Sequence, residues 1–152
     1  MATLNILLVD DDRNLVTTLS QGLRKAMGEA ISVAVCFSGS EALSMLATQA
    51  FDVVVSDFNM PGPSGLEFLS RIRQDHREMI LVLITAYGTD TLEEGVRQLG
   101  VGYITKPFEL SFLVQMIKDL IQDKEITGRT ENVSHIMEKL GKSAGSSQNK
   151  RL

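Results

Sequence analysis

The sequence is short of cysteine, of positive charge and of long apolar stretches, and each shortage excludes a class of protein. Its 152 residues contain one cysteine, Cys36, so an intrachain disulfide is impossible and a buried apolar role is expected for this thiol. The net charge of −4 and the pI of about 5.2 leave no basic footprint, which argues against direct binding of nucleic acid. No apolar stretch approaches the roughly 18 residues of a membrane helix, so we expect no membrane insertion.

The amino-terminal residues also lack a secretory pattern. Asp10-Asp11-Asp12 interrupts the first apolar run, and no small-residue cleavage site follows it. Together with the single cysteine, this pattern predicts a reduced, cytoplasmic setting.

What the sequence does contain is a regular alternation of strand-like and helix-like patterns, from Leu4 to about Lys124. A hydrophobic fraction of 43% and a charged fraction of 22% are ordinary for one globular domain. Near-continuous apolar runs predict strands that are buried on both faces, as in a parallel sheet covered by helices. These runs are Asn5–Val9, Ile31–Cys36, Val53–Ser56, Met79–Ile84 and Gly102–Thr105.

Helical stripes follow each of these runs, and two of them carry clear start signals. The first helix is expected to be capped by Asp12 or Asn14, and the second by a capping box from Ser38 to Glu41. Strand–helix alternation of this regularity predicts an α/β fold, a doubly wound five-stranded parallel sheet with five flanking helices.

Four of the apolar runs end on residue types that phosphoryl chemistry uses. In doubly wound sheets ligands bind beyond the carboxyl ends of the strands, where the strand order reverses. We therefore expect these residues to converge although they are far apart in the chain. They are Asp10 and Asp11, Asp57, Thr85 and Ala86, and Lys106 and Pro107.

The acidic members of this set predict a metal site. Asp10, Asp11 and Asp57 would repel one another, and a hard divalent cation relieves that repulsion. Because all the donors are oxygens, Mg²⁺ or Mn²⁺ is favoured over zinc. An aspartate beside such an ion is a plausible nucleophile toward phosphorus, while Thr85 and Lys106 can bind the phosphoryl oxygens.

Plainer interpretations stay open for each residue taken alone. Asp10-Asp11-Asp12 could be a solvated helix-capping cluster, and Asp57 could begin a turn. Thr85 could be an ordinary strand-end threonine, and Tyr103 could simply pack in the core. The ordered combination at strand ends is what favours a functional site.

Four segments, in this order and spacing, resemble the receiver domain of two-component response regulators, in particular chemotaxis-type single-domain receivers. They are Ile6–Asp12, Ser56–Gly62, Thr85-Ala86 and Tyr103–Phe108. The resemblance implies a flavodoxin-like sheet of strand order 2-1-3-4-5. It places a receiver domain at residues 1–124. Residues 125–152 are then a tail, in which the spacing of Val133, Ile136, Met137 and Leu140 predicts a short amphipathic helix at about 132–140, followed by a Gly/Ser-rich flexible end.

The resemblance also implies a role for each acidic residue. Asp57 would accept a phosphoryl group from a histidine kinase or a histidine phosphotransfer protein. Asp11 would bind Mg²⁺ directly, Asp10 would bind it mainly through water, and Asn59 would offer its backbone carbonyl.

The remaining site residues would form the switch. Thr85, Ala86 and Lys106 would surround the phosphoryl oxygens, and the Lys106-Pro107 peptide bond would be cis. Tyr103 would be the rotameric switch residue. Asn59 and Tyr87 occupy the positions that modulate hydrolysis of the acyl phosphate in this family.

These implications predict a signalling switch rather than a metabolic enzyme, with autophosphotransfer and slow self-hydrolysis as its only chemistry. The face formed by helix 4, strand 5 and helix 5 would contact a downstream effector or a second copy of the chain. Two alternatives are an Mg²⁺-dependent phosphohydrolase with an aspartyl nucleophile and a flavodoxin-like binding module. Against the first, Asp57 follows the third strand rather than the first; against the second, the loop after strand 1 is acidic.

Overall fold

The structure is a computed structural model that describes residues 3–60, 65–86, 88–127 and 136–140. At its centre is a five-stranded sheet of order β2-β1-β3-β4-β5, in which every neighbouring pair is parallel. This arrangement confirms the predicted doubly wound fold and strand order. The strands are β1 Leu4–Val9, β2 Ile31–Cys36, β3 Val53–Asp57, β4 Ile80–Thr85 and β5 Gly102–Thr105. The helices between and after them are α1 Arg13–Met27, α2 Gly39–Thr48, α3 Gly65–Asp75, α4 Asp90–Gln98 and α5 Leu110–Thr127.

The two faces of the sheet carry separate apolar cores, because successive side chains of a strand point to opposite faces. Ile6 and Leu8 of β1 belong to the core under α1 and α5. Leu7 and Val9 belong to the core under α2, α3 and α4. Every residue of β3 and β4 is buried, as expected for central strands with helices on both sides.

The helix starts follow local side-chain chemistry. The Asp12 carboxylate accepts a hydrogen bond from the Leu15 amide at 3.1 Å, so Asp12 is the N-cap of α1. Ser38 Oγ accepts one from the Glu41 amide at 3.1 Å. Glu41 reaches back to the Phe37 amide at 3.1 Å, one residue earlier than in a standard capping box. The predicted second helix start is confirmed, with this shift in the return bond.

The structure adds details that periodicity does not reveal. A short 3-10 helix at Gly28–Ala30 joins α1 to β2, and α5 extends to Thr127. Cys36 is buried as expected, and burial raises the pKa of its thiol to about 12. No helix in the described ranges has both the length and the apolar character needed to span a bilayer.

Part of the predicted tail is described. Residues 136–140 are helical, within the helix expected at about 132–140. Ile136 and Leu140 are buried in the same core as α1 and α5. Tyr87, residues 128–135 and the predicted flexible end at 141–152 lie outside the described residues.

One arginine joins three chain segments behind the sheet. The Arg73 side chain, at the end of α3, donates hydrogen bonds to the carbonyl oxygens of five residues. Leu99 and Gly100 among them, at 2.9 and 3.2 Å, lie between α4 and β5. Met79, at 2.7 Å, precedes β4. Burial lowers the pKa of this guanidinium, but an arginine remains charged at neutral pH.

We expect Arg73→Met to lower the free energy of unfolding by about 2–3 kcal/mol, because hydrogen bonds from a charged donor to partly buried carbonyls would be lost. Urea denaturation measures this change. Arg71→Met is the matched control, since Arg71 is exposed on the same helix and its loss should cost less than about 0.5 kcal/mol. Equal losses in the two variants would contradict the anchoring role of Arg73.

Candidate functional site

Strand register brings the predicted site residues to one edge of the sheet. Val9 is paired with Ser56, so Asp10 and Asp57 follow directly at adjacent strand ends. Asp57 is paired with Ile84, and the Lys106 amide donates to the Thr85 carbonyl at 2.8 Å. The carboxyl ends of β1, β3, β4 and β5 therefore meet in one crevice.

The three predicted carboxylates form a compact cluster. One oxygen from each of Asp10, Asp11 and Asp57 lies within 4.8 Å of the others. Asp10 and Asp57 are 5% exposed, whereas Asp11 is exposed. The cluster thus combines two buried carboxylates with one that is exposed to solvent.

Lys106 is the basic counterpart of this cluster. Its Nζ lies 3.2 Å from Asp57 Oδ1 and 4.0 Å from Asp10 Oδ2. The shorter contact is an ion pair, and Asp57 Oδ1 has no other polar partner among the described residues. A buried carboxylate oxygen with only an ion-pair partner has coordination capacity to spare.

Burial dominates the electrostatics of both inner aspartates. The pKa of Asp10 is raised to about 6, mainly by desolvation and also by the charge on Asp57, while the hydrogen bond from the Asp12 amide opposes the shift. That amide donates to Asp10 Oδ1 at 2.9 Å. Desolvation also raises the pKa of Asp57, against the opposing attraction of Lys106 and a hydrogen bond from the Asn59 amide.

The donor set fits a hard divalent cation. Three carboxylates supply only oxygen donors, the preference of Mg²⁺ and Mn²⁺. A bound cation would offset the desolvation and the mutual repulsion that now raise the pKa values of Asp10 and Asp57. The crevice is therefore an acidic pocket that can hold a metal ion.

The other predicted residues lie at the same strand ends or directly after them. Thr85 is fully buried at the end of β4, whereas Ala86 is exposed. The Lys106-Pro107 peptide bond is cis, as the resemblance implies. Asn59 is exposed, and it approaches Asp57 through its backbone amide. Tyr87 lies outside the described residues, so its predicted position beside the site stays a prediction.

Tyr103 contacts a residue that sequence reasoning missed. Its hydroxyl lies so close to Gly88 that any β-carbon at position 88 would collide with it. The hydroxyl is buried, and burial raises the pKa of this phenol, with a smaller opposing effect from Thr105. Gly88 therefore provides the space that the Tyr103 side chain occupies between β5 and the start of α4. The only indication of this contact in the sequence is the glycine at position 88, directly after Thr85-Ala86-Tyr87.

The chain is similar to known proteins over the region that contains the crevice residues. The model of the family described as "Response regulator receiver domain" matches residues 6–118. FleR of Pseudomonas aeruginosa, a response regulator protein, is 40% identical over 113 residues, which are 74% of this chain and 23% of FleR. NtrC of Klebsiella pneumoniae, a DNA-binding transcriptional regulator, is 32% identical over 111 residues, 72% of this chain and 23% of NtrC.

A solved structure gives the same result. The BeF₃-activated receiver domain of DrrB, a Thermotoga maritima protein, superposes with a TM-score of 0.70 at 28% identity, covering 80% of this chain and 99% of that domain. These matches favour the receiver interpretation over the phosphohydrolase and the flavodoxin-like binding module. The chain spans about a quarter of the length of the two relatives named above.

We expect Asp10→Asn to stabilise the fold at pH 7.5 by about 1–3 kcal/mol, measured by urea denaturation with a chelator present. The pKa of Asp10 is about 6 in the folded chain against 3.8 without the fold. The folded state thus holds the proton more tightly, and stability falls as pH rises between these values. The gain in the variant should therefore be full above about pH 6 and nearly absent by about pH 4.

Asp12→Asn is the control for this experiment, because Asp12 is exposed and asparagine is an equally good N-cap. A gain for Asp10→Asn that is the same at both pH values would contradict the desolvation account.

Proposed function

The chain belongs to the response regulator receiver domain family, a signalling module of two-component systems, and from that premise we propose that Asp57 is its phosphoacceptor. The observation that carries this proposal is the position of Asp57 Oδ1, 3.2 Å from Lys106 Nζ within the acidic cluster. Asp57 belongs to the acidic cluster and also lies closer to Lys106 Nζ than Asp10 does, at 3.2 Å against 4.0 Å. It is also at the end of a central strand, where it is paired with Ile84 of β4.

The proposed cofactor is Mg²⁺, with Mn²⁺ as a substitute. Asp11 and Asp57 would hold the ion with their carboxylates, Asp10 would hold it mainly through water, and Asn59 would contribute its backbone carbonyl. When bound, the ion supplies positive charge against the carboxylates and the phosphoryl oxygens.

The proposed step is a transfer between two side chains. The Asp57 carboxylate attacks the phosphorus of a phosphohistidine, an O–P bond forms, and the N–P bond breaks. The electron pair of the broken bond stays on the imidazole nitrogen, which takes up a proton. The product is an acyl phosphate on Asp57.

Lys106 and Thr85 act on the product. Once Asp57 is phosphorylated, the negative charge lies on the phosphoryl oxygens rather than on the carboxylate, and Lys106 follows that charge. An ammonium about 4 Å from a phosphoryl charge gains about 4 kcal/mol before desolvation, at an effective dielectric constant near 20. The Thr85 hydroxyl, at the end of the neighbouring strand, would donate to the same oxygens.

The proposed signal is a population shift of the face formed by α4, β5 and α5. Lys106 directly follows β5, so its displacement acts on that strand and on Tyr103. Phosphorylation can shift the equilibrium only as far as the phosphoryl group binds the two conformations differently. The control of acyl-phosphate lifetime by Asn59 and Tyr87 stays a prediction.

The proposed partners follow from this chemistry. A histidine kinase or a histidine phosphotransfer protein would supply the phosphoryl group in the cytoplasm, and an effector protein or domain would read the shifted face. A second copy of the chain is a further candidate for that face. NtrC, a relative of this chain, is a DNA-binding transcriptional regulator of which the chain matches 23%.

We expect Asp57→Asn to abolish phosphorylation by acetyl phosphate in Mg²⁺ while the fold is retained, because the amide cannot form the acyl phosphate. Intact-protein mass spectrometry detects the added phosphoryl group, and circular dichroism checks the fold. Asp12→Asn, exposed beside the same crevice, should be labelled like the unmodified chain. Undiminished labelling of the Asp57 variant would overturn the assignment.

A further inference from the structure

Residues 136–140 contact the outer edge of the sheet. β5 is an edge strand, because its only strand neighbour is β4 among the described residues. The Lys106 amide points toward β4, so the amide of Tyr103, an odd number of residues away, points outward. That outward amide donates to Met137 Sδ at 3.5 Å.

Apolar burial holds this segment in place. Ile136 and Leu140 are 8% and 6% exposed, and they share a core with Met116 and Ile117 of α5. Glu138 and Lys139 between them are exposed. Residues four apart lie on one face of a helix, so the segment docks through a single apolar face.

Resting on the function proposed above, we propose that the β5 edge and the adjoining side of α5 form a docking surface for a short amphipathic helix. Residues 136–140 occupy this surface in cis and act as a cap that is coupled to the phosphoacceptor crevice. We call these residues the cap.

Tyr103 provides the coupling, because it contacts both regions. Its amide binds the cap, and its hydroxyl packs against Gly88, three residues after Thr85. Lys106, three residues after Tyr103, pairs with Asp57 at 3.2 Å. A change that draws Lys106 or Thr85 toward a phosphoryl group therefore moves the strand on which the cap rests.

Whether the docked cap favours the resting or the activated arrangement depends on the conformation in which it is docked. In that conformation Lys106 Nζ lies 3.2 Å from Asp57 Oδ1, a pair that phosphorylation of Asp57 would break. The cap therefore stabilises the resting arrangement, and by linkage its removal favours the activated one. A thioether is a weak hydrogen-bond acceptor, so the Met137 contact does not lock the cap in place.

The test uses the full chain with Ile136→Ser and Leu140→Ser combined, and Glu138→Ser as the matched control. Two quantities are measured: hydrogen exchange of the Tyr103 amide without phosphodonor, and the affinity for beryllofluoride in Mg²⁺. In the double variant we expect exchange to be at least about 10-fold faster and beryllofluoride to bind about 5-fold tighter or more. The control should match the unmodified chain in both.

A peptide with the sequence of residues 132–140 then tests the surface itself. Added at about millimolar concentration, it should slow exchange at Tyr103 in the double variant, which also shows that the variant is folded. Failure of the peptide to protect Tyr103 counts against a helix-docking surface.

The remaining outcomes separate this inference from the proposed function. Unchanged Tyr103 exchange in the double variant overturns the cap. Faster exchange with unchanged beryllofluoride affinity overturns the coupling and leaves the phosphoacceptor assignment intact. If the unmodified chain binds no beryllofluoride, the proposed function fails and the coupling with it, whereas Tyr103 exchange still decides whether the cap is docked.

Discussion

The chain buries two neighbouring carboxylates, Asp10 and Asp57, and the loss of hydration of these groups is the main electrostatic cost of the site, with the repulsion between the carboxylates adding to it. Both are 5% exposed at adjacent strand ends, where parallel pairing leaves them no freedom to separate. Lys106 offsets part of the repulsion from 3.2 Å. The crevice therefore brings together three carboxylates and one lysine, a charge balance that favours the binding of a further cation.

This arrangement opposes the stability of the fold. Burial raises the pKa values of Asp10 and Asp57, so at neutral pH the folded chain carries charges that it holds less readily than the unfolded chain does. The two apolar cores, one on each face of the sheet, stabilise the fold against this electrostatic cost. Arg73 adds to this stabilisation, because its hydrogen bonds join α3 to the segments before β4 and β5. Raised pKa values of this kind are expected at a functional site whose chemistry requires several charges close together.

The sequence was sufficient for the features that depend on local pattern. Apolar runs located every strand, with β3 and β4 each extending one residue further to include Asp57 and Thr85. The Asp12 cap and the convergence of the strand ends followed from general rules about helices and doubly wound sheets. The strand order itself came from the resemblance to receiver domains.

Contacts between distant segments could not be predicted in this way. The Arg73 side chain binds carbonyl groups 26 and 27 residues away, and such acceptors have no side-chain signature. The contact between Tyr103 and Gly88 depends on a loop conformation, and that between Tyr103 and Met137 links positions 34 residues apart. The capping box likewise returned to Phe37 rather than Ser38, since its geometry depends on how β2 enters the helix.

The most direct test of the central claim is anomalous diffraction from a crystal of the chain grown with Mn²⁺. We predict one strong manganese peak in the crevice, within bonding distance of the Asp11 and Asp57 carboxylates, and loss of that peak in Asp11→Asn. A crevice without manganese at saturating concentration, or a peak bound elsewhere on the surface, would contradict it.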